Sequence, residues 1–147
     1  MMKIQYKKGN IIHADEFVIA HGCNAQGVMG SAAAKDIRQA FPLAYQKYKE
    51  VYDRAGLQLG TIIWVVDKKW IANCITQEFY GRTPKQYVSY DAIRQCMVSL
   101  NKTASNEGQK SVALTKIGCG LGGGDWNIIS KIIEEEFKDV IPVVYEL

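Results

Sequence analysis

Apolar positions along the chain fall alternately into short runs and longer stripes. Ile4 to Lys8 reads as a short strand, and Glu16-Phe17-Val18-Ile19-Ala20 is an apolar run of the kind expected of a strand covered on both faces. Ser31 to Phe41 predicts a helix, with Ala33, Ala34, Ile37 and Phe41 at near-helical spacing and Pro42 ending it and opening the next. That second helix carries Tyr45, Tyr48, Val51, Tyr52 and Ala55 on one stripe before Gly56. Thr61 to Val66 and Trp70 to Ile75, joined by Asp67-Lys68-Lys69, predict two adjacent strands and a tight polar turn. Ser89 opens a long helix through Ile93, Cys96, Met97, Leu100 and Ala104, which Asn106-Glu107-Gly108 closes. A buried strand is expected over Ser111 to Ile117, then a helix over Trp126 to Phe137 with Ile128, Ile129, Ile132 and Ile133 inward, then a strand over Val140 to Tyr145. Strands interleaved with helices imply an α/β fold: a mostly parallel sheet with helices on both faces.

With 147 residues, 48% of them hydrophobic, the chain fits one domain spanning 1–147. The 18 Lys and Arg against 15 Asp and Glu leave a net charge of +3, too little for a protein that coats a polyanion but suited to a small anionic ligand. No apolar run approaches the roughly 18 residues of a membrane span, and Met1 to Lys8 holds no signal core, so a soluble, cytoplasmic protein without membrane partners is expected. Cys23, Cys74, Cys96 and Cys119 are scattered, with no C-x-x-C spacing; neither a zinc site, a disulfide framework nor a cofactor is expected.

In open α/β sheets ligands collect where loops leave the carboxyl ends of the strands, and two such loops stand out. The first runs from His21-Gly22-Cys23-Asn24 through Gly27-Val28-Met29-Gly30-Ser31 into Ala32-Ala33-Ala34. Small residues throughout let a ligand press against backbone, and free N–H groups at a helix start favour an anion, although close helix–sheet packing explains the glycines equally well. The second is Ile117-Gly118-Cys119-Gly120-Leu121-Gly122-Gly123-Gly124-Asp125-Trp126. A loop so rich in glycine commonly brings backbone N–H groups against a phosphate. Gly118, Gly120 and Gly123 satisfy G-x-G-x-x-G, yet only one strand follows, which excludes a dinucleotide dehydrogenase, and no Gly-Lys-Ser/Thr follows to suggest an ATPase. Two glycine loops facing each other across the sheet describe a cleft sized for a diphosphate.

Together with Lys8-Gly9-Asn10-Ile11 near the start and Val144-Tyr145-Glu146-Leu147 at the end, these loops resemble the macrodomains. The likeness is strongest to the small stand-alone branch that includes the ADP-ribose-1''-phosphate phosphatases and the terminal ADP-ribose glycohydrolases. The resemblance covers nearly the whole chain and implies a three-layer α/β/α fold, with a mixed, mostly parallel sheet, that binds ADP-ribose. It places Asn10 and Ile11 beside the adenine, with Tyr145 a candidate to stack on it, and Asn24 against the distal ribose. Gly27, Val28, Met29, Gly30, Ser31, Ala32 and Ala33 would line the diphosphate from one side. Ile117 and Gly118, Cys119, Gly120, Leu121, Gly122, Gly123 and Gly124 would close from the other.

The departures bear on activity. The resemblance aligns Gln77 and Gly122 with a Lys and an Asp of the glycohydrolase branch, which argues against that chemistry. The phosphatase branch has a His at the start of the first loop, where His21 stands here. A His whose ordinary pKa lies near 6.5 can serve as acid or base at a cleft mouth, or simply be a satisfied structural residue. Asp125 precedes a helix and suits an N-cap, and could also orient a water. Gln77, Glu78 and Lys85 are further candidates near the distal ribose, whereas Tyr80, Tyr87 and Tyr90 read as packing or loop cover. The expectation is a metal-independent ADP-ribose-1''-phosphate phosphatase with His21, Asp125 and Asn24 as catalytic residues. Alternatives are a hydrolase acting on ADP-ribosylated protein or nucleic acid, and a non-catalytic reader. The ligand would be ADP-ribose or ADP-ribose-1''-phosphate, and the chain a monomer.

Overall fold

A computed structural model describes residues 1–30 and 32–147. Ser31, expected to open the first helix and to line the cleft, lies outside the described residues, as does the side chain of Ala32. Among the described residues six strands form one sheet: β1 (Gln5–Lys8), β2 (Val18–Asn24), β3 (Ile62–Asp67), β4 (Lys69–Gln77), β5 (Ser111–Leu114) and β6 (Ile141–Glu146), in the order β1-β6-β5-β2-β4-β3. All neighbours pair parallel except β3 and β4, the hairpin around Lys68. The helices are α1 (Ala32–Ala40), α2 (Pro42–Ala55), α3 (Tyr90–Asn106) and α4 (Trp126–Glu136).

The two-residue period of the strands divides the core into layers. Val18 and Ala20 of β2, Ala72 and Cys74 of β4, and Val112 and Leu114 of β5 face α3 and α4, where Ile93, Met97, Leu100, Ile129, Ile133 and Phe137 are buried. The alternate residues, Ile19, Ile71 and Ala113, face α1 and α2 through Ile37, Phe41 and Ala44. This is the expected three-layer α/β/α sandwich. Ser89 caps α3 by accepting from Ala92 N at 3.1 Å, as its position before the helix predicts.

Four local expectations need correction. The central strand starts at Val18 rather than Glu16 and runs on through His21, Gly22, Cys23 and Asn24, which pair with β4. β5 stops at Leu114 instead of Ile117, because Ile117 N turns back to donate to Thr115 O. Ile128 is exposed on α4, as is Ala55 on α2.

Candidate functional site

The carboxyl ends of β1, β6, β5, β2 and β4 lie side by side, four strand spacings or about 19 Å across, and open into one cleft. Its volume is about 1170 Å³. The order of strands fixes which residues share each end. Asn10, Ile11 and Tyr145 sit where β1 and β6 end, Ile117 to Gly122 where β5 ends, and Asn24, Val28 and Gln77 where β2 and β4 end.

At the first end, Asn10 Oδ1 accepts from Ile12 N at 3.1 Å and caps a single 3-10 turn over Ile11–His13, while its Nδ2 donates to Asp36 of α1 at 3.4 Å. In the middle, Gly120–Gly122 form another 3-10 turn, whose first N–H groups, those of Gly120 and Leu121, have no use inside it. Gly120 adopts φ 67° and a Cβ there would meet open space, so the glycine serves the turn and leaves the approach to its backbone clear.

At the far end Asn24 holds the first loop together. Its Oδ1 accepts from Gln26 N at 2.9 Å and Val28 N at 3.4 Å and from the Tyr48 hydroxyl at 3.0 Å, and its Nδ2 donates to Val28 O at 2.8 Å. The side chain thus shapes the loop while it lines the cleft. Gln77 and Gly122, from different loops, adjoin: a Cβ on Gly122 would lie 3.3 Å from Gln77 Oε1.

Fourteen of the residues expected to bind ligand line this cleft: Asn10, Ile11, Asn24, Val28, Gly30, Ala33, Gln77, Tyr145 and the run from Ile117 to Gly122. Gly27, Met29, Gly123 and Gly124 do not. Gly27 presses on the Tyr52 ring at φ 77°, Met29 is buried, a Cβ on Gly123 would run into the Lys85 carbonyl, and one on Gly124 would lie 2.7 Å from Gly118 O. These residues shape the loops from behind.

The expected acid–base pair is not assembled. His21 borders the cleft as expected, yet it sits within β2 rather than in the loop and is 1% exposed, with Nε2 donating to Asn73 Oδ1 at 2.6 Å and Cys23 Sγ 3.6 Å from Nε2. Asn73 in turn donates to Ala44 O of α2 at 3.1 Å. Burial lowers the imidazole pKa to about 4, against the raising effect of Asn73, so the ring is neutral near pH 7. Asp125 is exposed and stands outside the cleft lining, where it accepts from Asn127 N at 2.9 Å and caps α4.

Glu78 and Lys85 also stay off the cleft wall, whereas Tyr80, expected to be loop cover, lines it together with Arg82. Lys8, Lys35 and Lys116 add positive charge at the cleft, with Asp36 and Glu146 as the acidic members. The sequence carried one signal for this wall. Eleven residues with no strand or helix of their own separate β4 from the Ser89 cap, an unusual length inside a compact domain.

Residues 20–133 match the Macro domain family along most of the chain. The chain belongs to the macrodomain family. Among relatives, this macrodomain is 30% identical over 149 residues to a 17.5 kDa protein of Enterobacteria phage T4, covering 90% of this chain and 89% of the phage protein. It is 25% identical to a DNA ADP-ribosyl glycohydrolase of Thermus aquaticus over 92% of this chain but spans only 38% of that protein. Identity to an ADP-ribose 1''-phosphate phosphatase of Saccharomyces cerevisiae is 24%, with both chains covered completely. Thermosipho africanus DarTG, solved in complex with ADP-ribose, shares the fold at a TM-score of 0.79 and 19% identity, over 96% of this macrodomain and 41% of that chain.

Proposed function

We propose that this macrodomain binds ADP-ribose along the cleft and hydrolyses the terminal phosphate of ADP-ribose-1''-phosphate. The observation that carries the reading is the pair of glycine loops over neighbouring strand ends, with backbone N–H groups at the centre of a cleft long enough for a nucleotide at one end and a second sugar at the other. Adenine is assigned to Asn10, Ile11 and Tyr145, the diphosphate to Gly120, Leu121 and the start of α1, and the distal ribose to the Asn24 and Gln77 end. A helix start and free amides suit phosphate oxygens without a cluster of cations.

Two points support the phosphatase over the glycohydrolase. The yeast phosphatase is matched along its whole length. Gln77 and Gly122, which stand where the resemblance puts a Lys and an Asp in the glycohydrolase branch, adjoin at the distal end, so an amide and a glycine replace an amine and a carboxylate.

In the proposed reaction a water oxygen bonds to phosphorus as the P–O bond to the distal ribose breaks, the ribose oxygen takes up a proton, and phosphate and ADP-ribose leave. The chain contributes position and fixed dipoles, because donors already aimed at the phosphoryl oxygens stabilise charge without reorganising. His21 and Asn24 act as positioning residues for β2 and the first loop, and Asp125 acts on α4.

Free phosphate released from ADP-ribose-1''-phosphate by the purified chain tests this, with ADP-ribosylated protein and DNA assayed beside it. Phosphate release without loss of ADP-ribose from either macromolecule is expected. ADP-ribose binding with no turnover on any of the three would replace the phosphatase with a reader, a reading favoured by one observation: Asp125 stands off the cleft lining, and His21, which lies at the cleft, is buried and holds Asn73.

A further inference from the structure

One buried carboxylate has no place in the proposed chemistry. Glu16 is 9% exposed, on the turn that leads into β2, yet both of its oxygens are engaged. Oε1 accepts from the Tyr145 hydroxyl at 2.6 Å, and Oε2 accepts from Lys7 Nζ at 3.3 Å. The parallel register of β1 and β6 puts Lys7 directly beside Tyr145, and the ammonium lies 5.8 Å from the Tyr145 ring centroid. The Glu16 backbone is pinned as well, since Lys69 of β4 donates to Glu16 O at 2.8 Å and also to Ala14 O. Strands β1, β6 and β4 therefore each supply one hydrogen-bond partner to Glu16.

Tyr145 is a wall of the cleft where β1 and β6 end; Glu16 does not line the cleft at all. An aromatic wall that rotates freely must be ordered when a ligand stacks on it, at a cost that weakens binding. One held by its hydroxyl has lost that freedom beforehand. We infer that Glu16 is a positioning residue for the base-binding end of the cleft: through the Tyr145 hydroxyl it locks the ring in the orientation that stacks on a purine, with Lys7 balancing its charge.

The state of the carboxylate agrees. Burial alone would push it towards the protonated form, but the Tyr145 hydroxyl, a hydrogen bond from the Glu16 backbone and Lys7 together outweigh burial and hold it below the usual carboxylate range. It is thus an anionic acceptor near neutral pH. The Tyr145 phenol, raised by burial and by Glu16, stays protonated and able to donate.

The inference rests on the ADP-ribose reading, so the test separates the two. Calorimetry with ADP-ribose would be run on the unaltered chain and on Tyr145→Phe, Glu16→Ala and Glu16→Gln, with ribose 5-phosphate, which has no base, followed on the same proteins by NMR shifts. Tyr145→Phe keeps the ring and loses only the anchor. It and Glu16→Ala should each weaken ADP-ribose about 2- to 10-fold and leave ribose 5-phosphate unchanged. Glu16→Gln, which retains an acceptor, should restore most of the affinity. The double variant Glu16→Ala with Tyr145→Phe should lose no more than either single one, because both remove the same hydrogen bond. Wild-type affinity in Tyr145→Phe, or an equal loss for ribose 5-phosphate, overturns the inference while leaving the ADP-ribose reading intact. An unaltered chain that fails to bind ADP-ribose overturns both.

Discussion

His21 illustrates how one residue's meaning depends on its partner. The sequence puts a histidine just after Val18-Ile19-Ala20, where a strand would end and a loop begin. The structure continues the strand and turns the ring towards α2, because Asn73, 52 positions away on β4, supplies an acceptor directly across the register. No local pattern reveals that pairing, since a buried amide on a neighbouring strand is not signalled by periodicity. A consequence for stability follows. The imidazole titrates near 6.5 unfolded but at about 4 folded, so the unfolded chain binds more protons between those values. The contribution is fully present above pH 6.5 and is lost as pH falls through about 4, amounting to about 3 kcal/mol in all. Urea unfolding at pH 7 and pH 4.5 should therefore show a fall in stability that is smaller in His21→Gln. An equal fall in both proteins would mean that the histidine is not buried neutral. Gly120 is the opposite case, a residue whose role is its missing side chain. Gly120→Val forces a branched residue into the left-handed region at a cost of about 1–2 kcal/mol and covers the neighbouring amides, so the variant should fold and lose ADP-ribose binding. A folded Gly120→Val that binds normally would remove the diphosphate from this turn.

At the scale of elements, the second glycine loop has two halves with different surroundings. From Ile117 to Gly124 five of the eight residues are glycine, and the whole run reads as phosphate-facing. In the folded chain it divides. Gly120 and Gly122 open to the cleft, whereas Gly123 and Gly124 turn under the segment before α3, where Tyr87 N and Val88 N donate to Gly122 O at 2.8 and 3.1 Å. The cause is Asp125, which starts α4 and so fixes where the loop must end. Loss of this cap should cost about 1 kcal/mol, while the distance of Asp125 from the cleft lining should leave turnover and affinity close to those of the parent. Thermal melting and phosphate release of Asp125→Ala check both halves. A fall in rate of 100-fold with unchanged melting would return Asp125 to the catalytic centre. The first loop divides in a similar way: Asn24, expected at the ribose, lines the cleft and also ties the loop together through Gln26, Val28 and Tyr48.

For the whole molecule, the alternation of apolar runs with helical stripes was sufficient to read three layers and a mostly parallel sheet, because every helix carries one apolar stripe and the central strands are apolar on both faces. The order β1-β6-β5-β2-β4-β3 was not readable from that alternation, and it is what sets the ends of Asn10 and Asn24 about three strand spacings apart. The segment between Gln77 and Ser89, without periodicity, was equally opaque, and it supplies Tyr80 and Arg82 to the cleft. The central claim is that the two ends and both glycine loops form one site for one ligand. Calorimetry of the purified chain with ADP-ribose and with AMP tests it most directly. Micromolar or tighter binding of ADP-ribose, about −8 kcal/mol, with AMP at least about tenfold weaker for want of the distal half, is the predicted result. Equal affinity for the two ligands would contradict it.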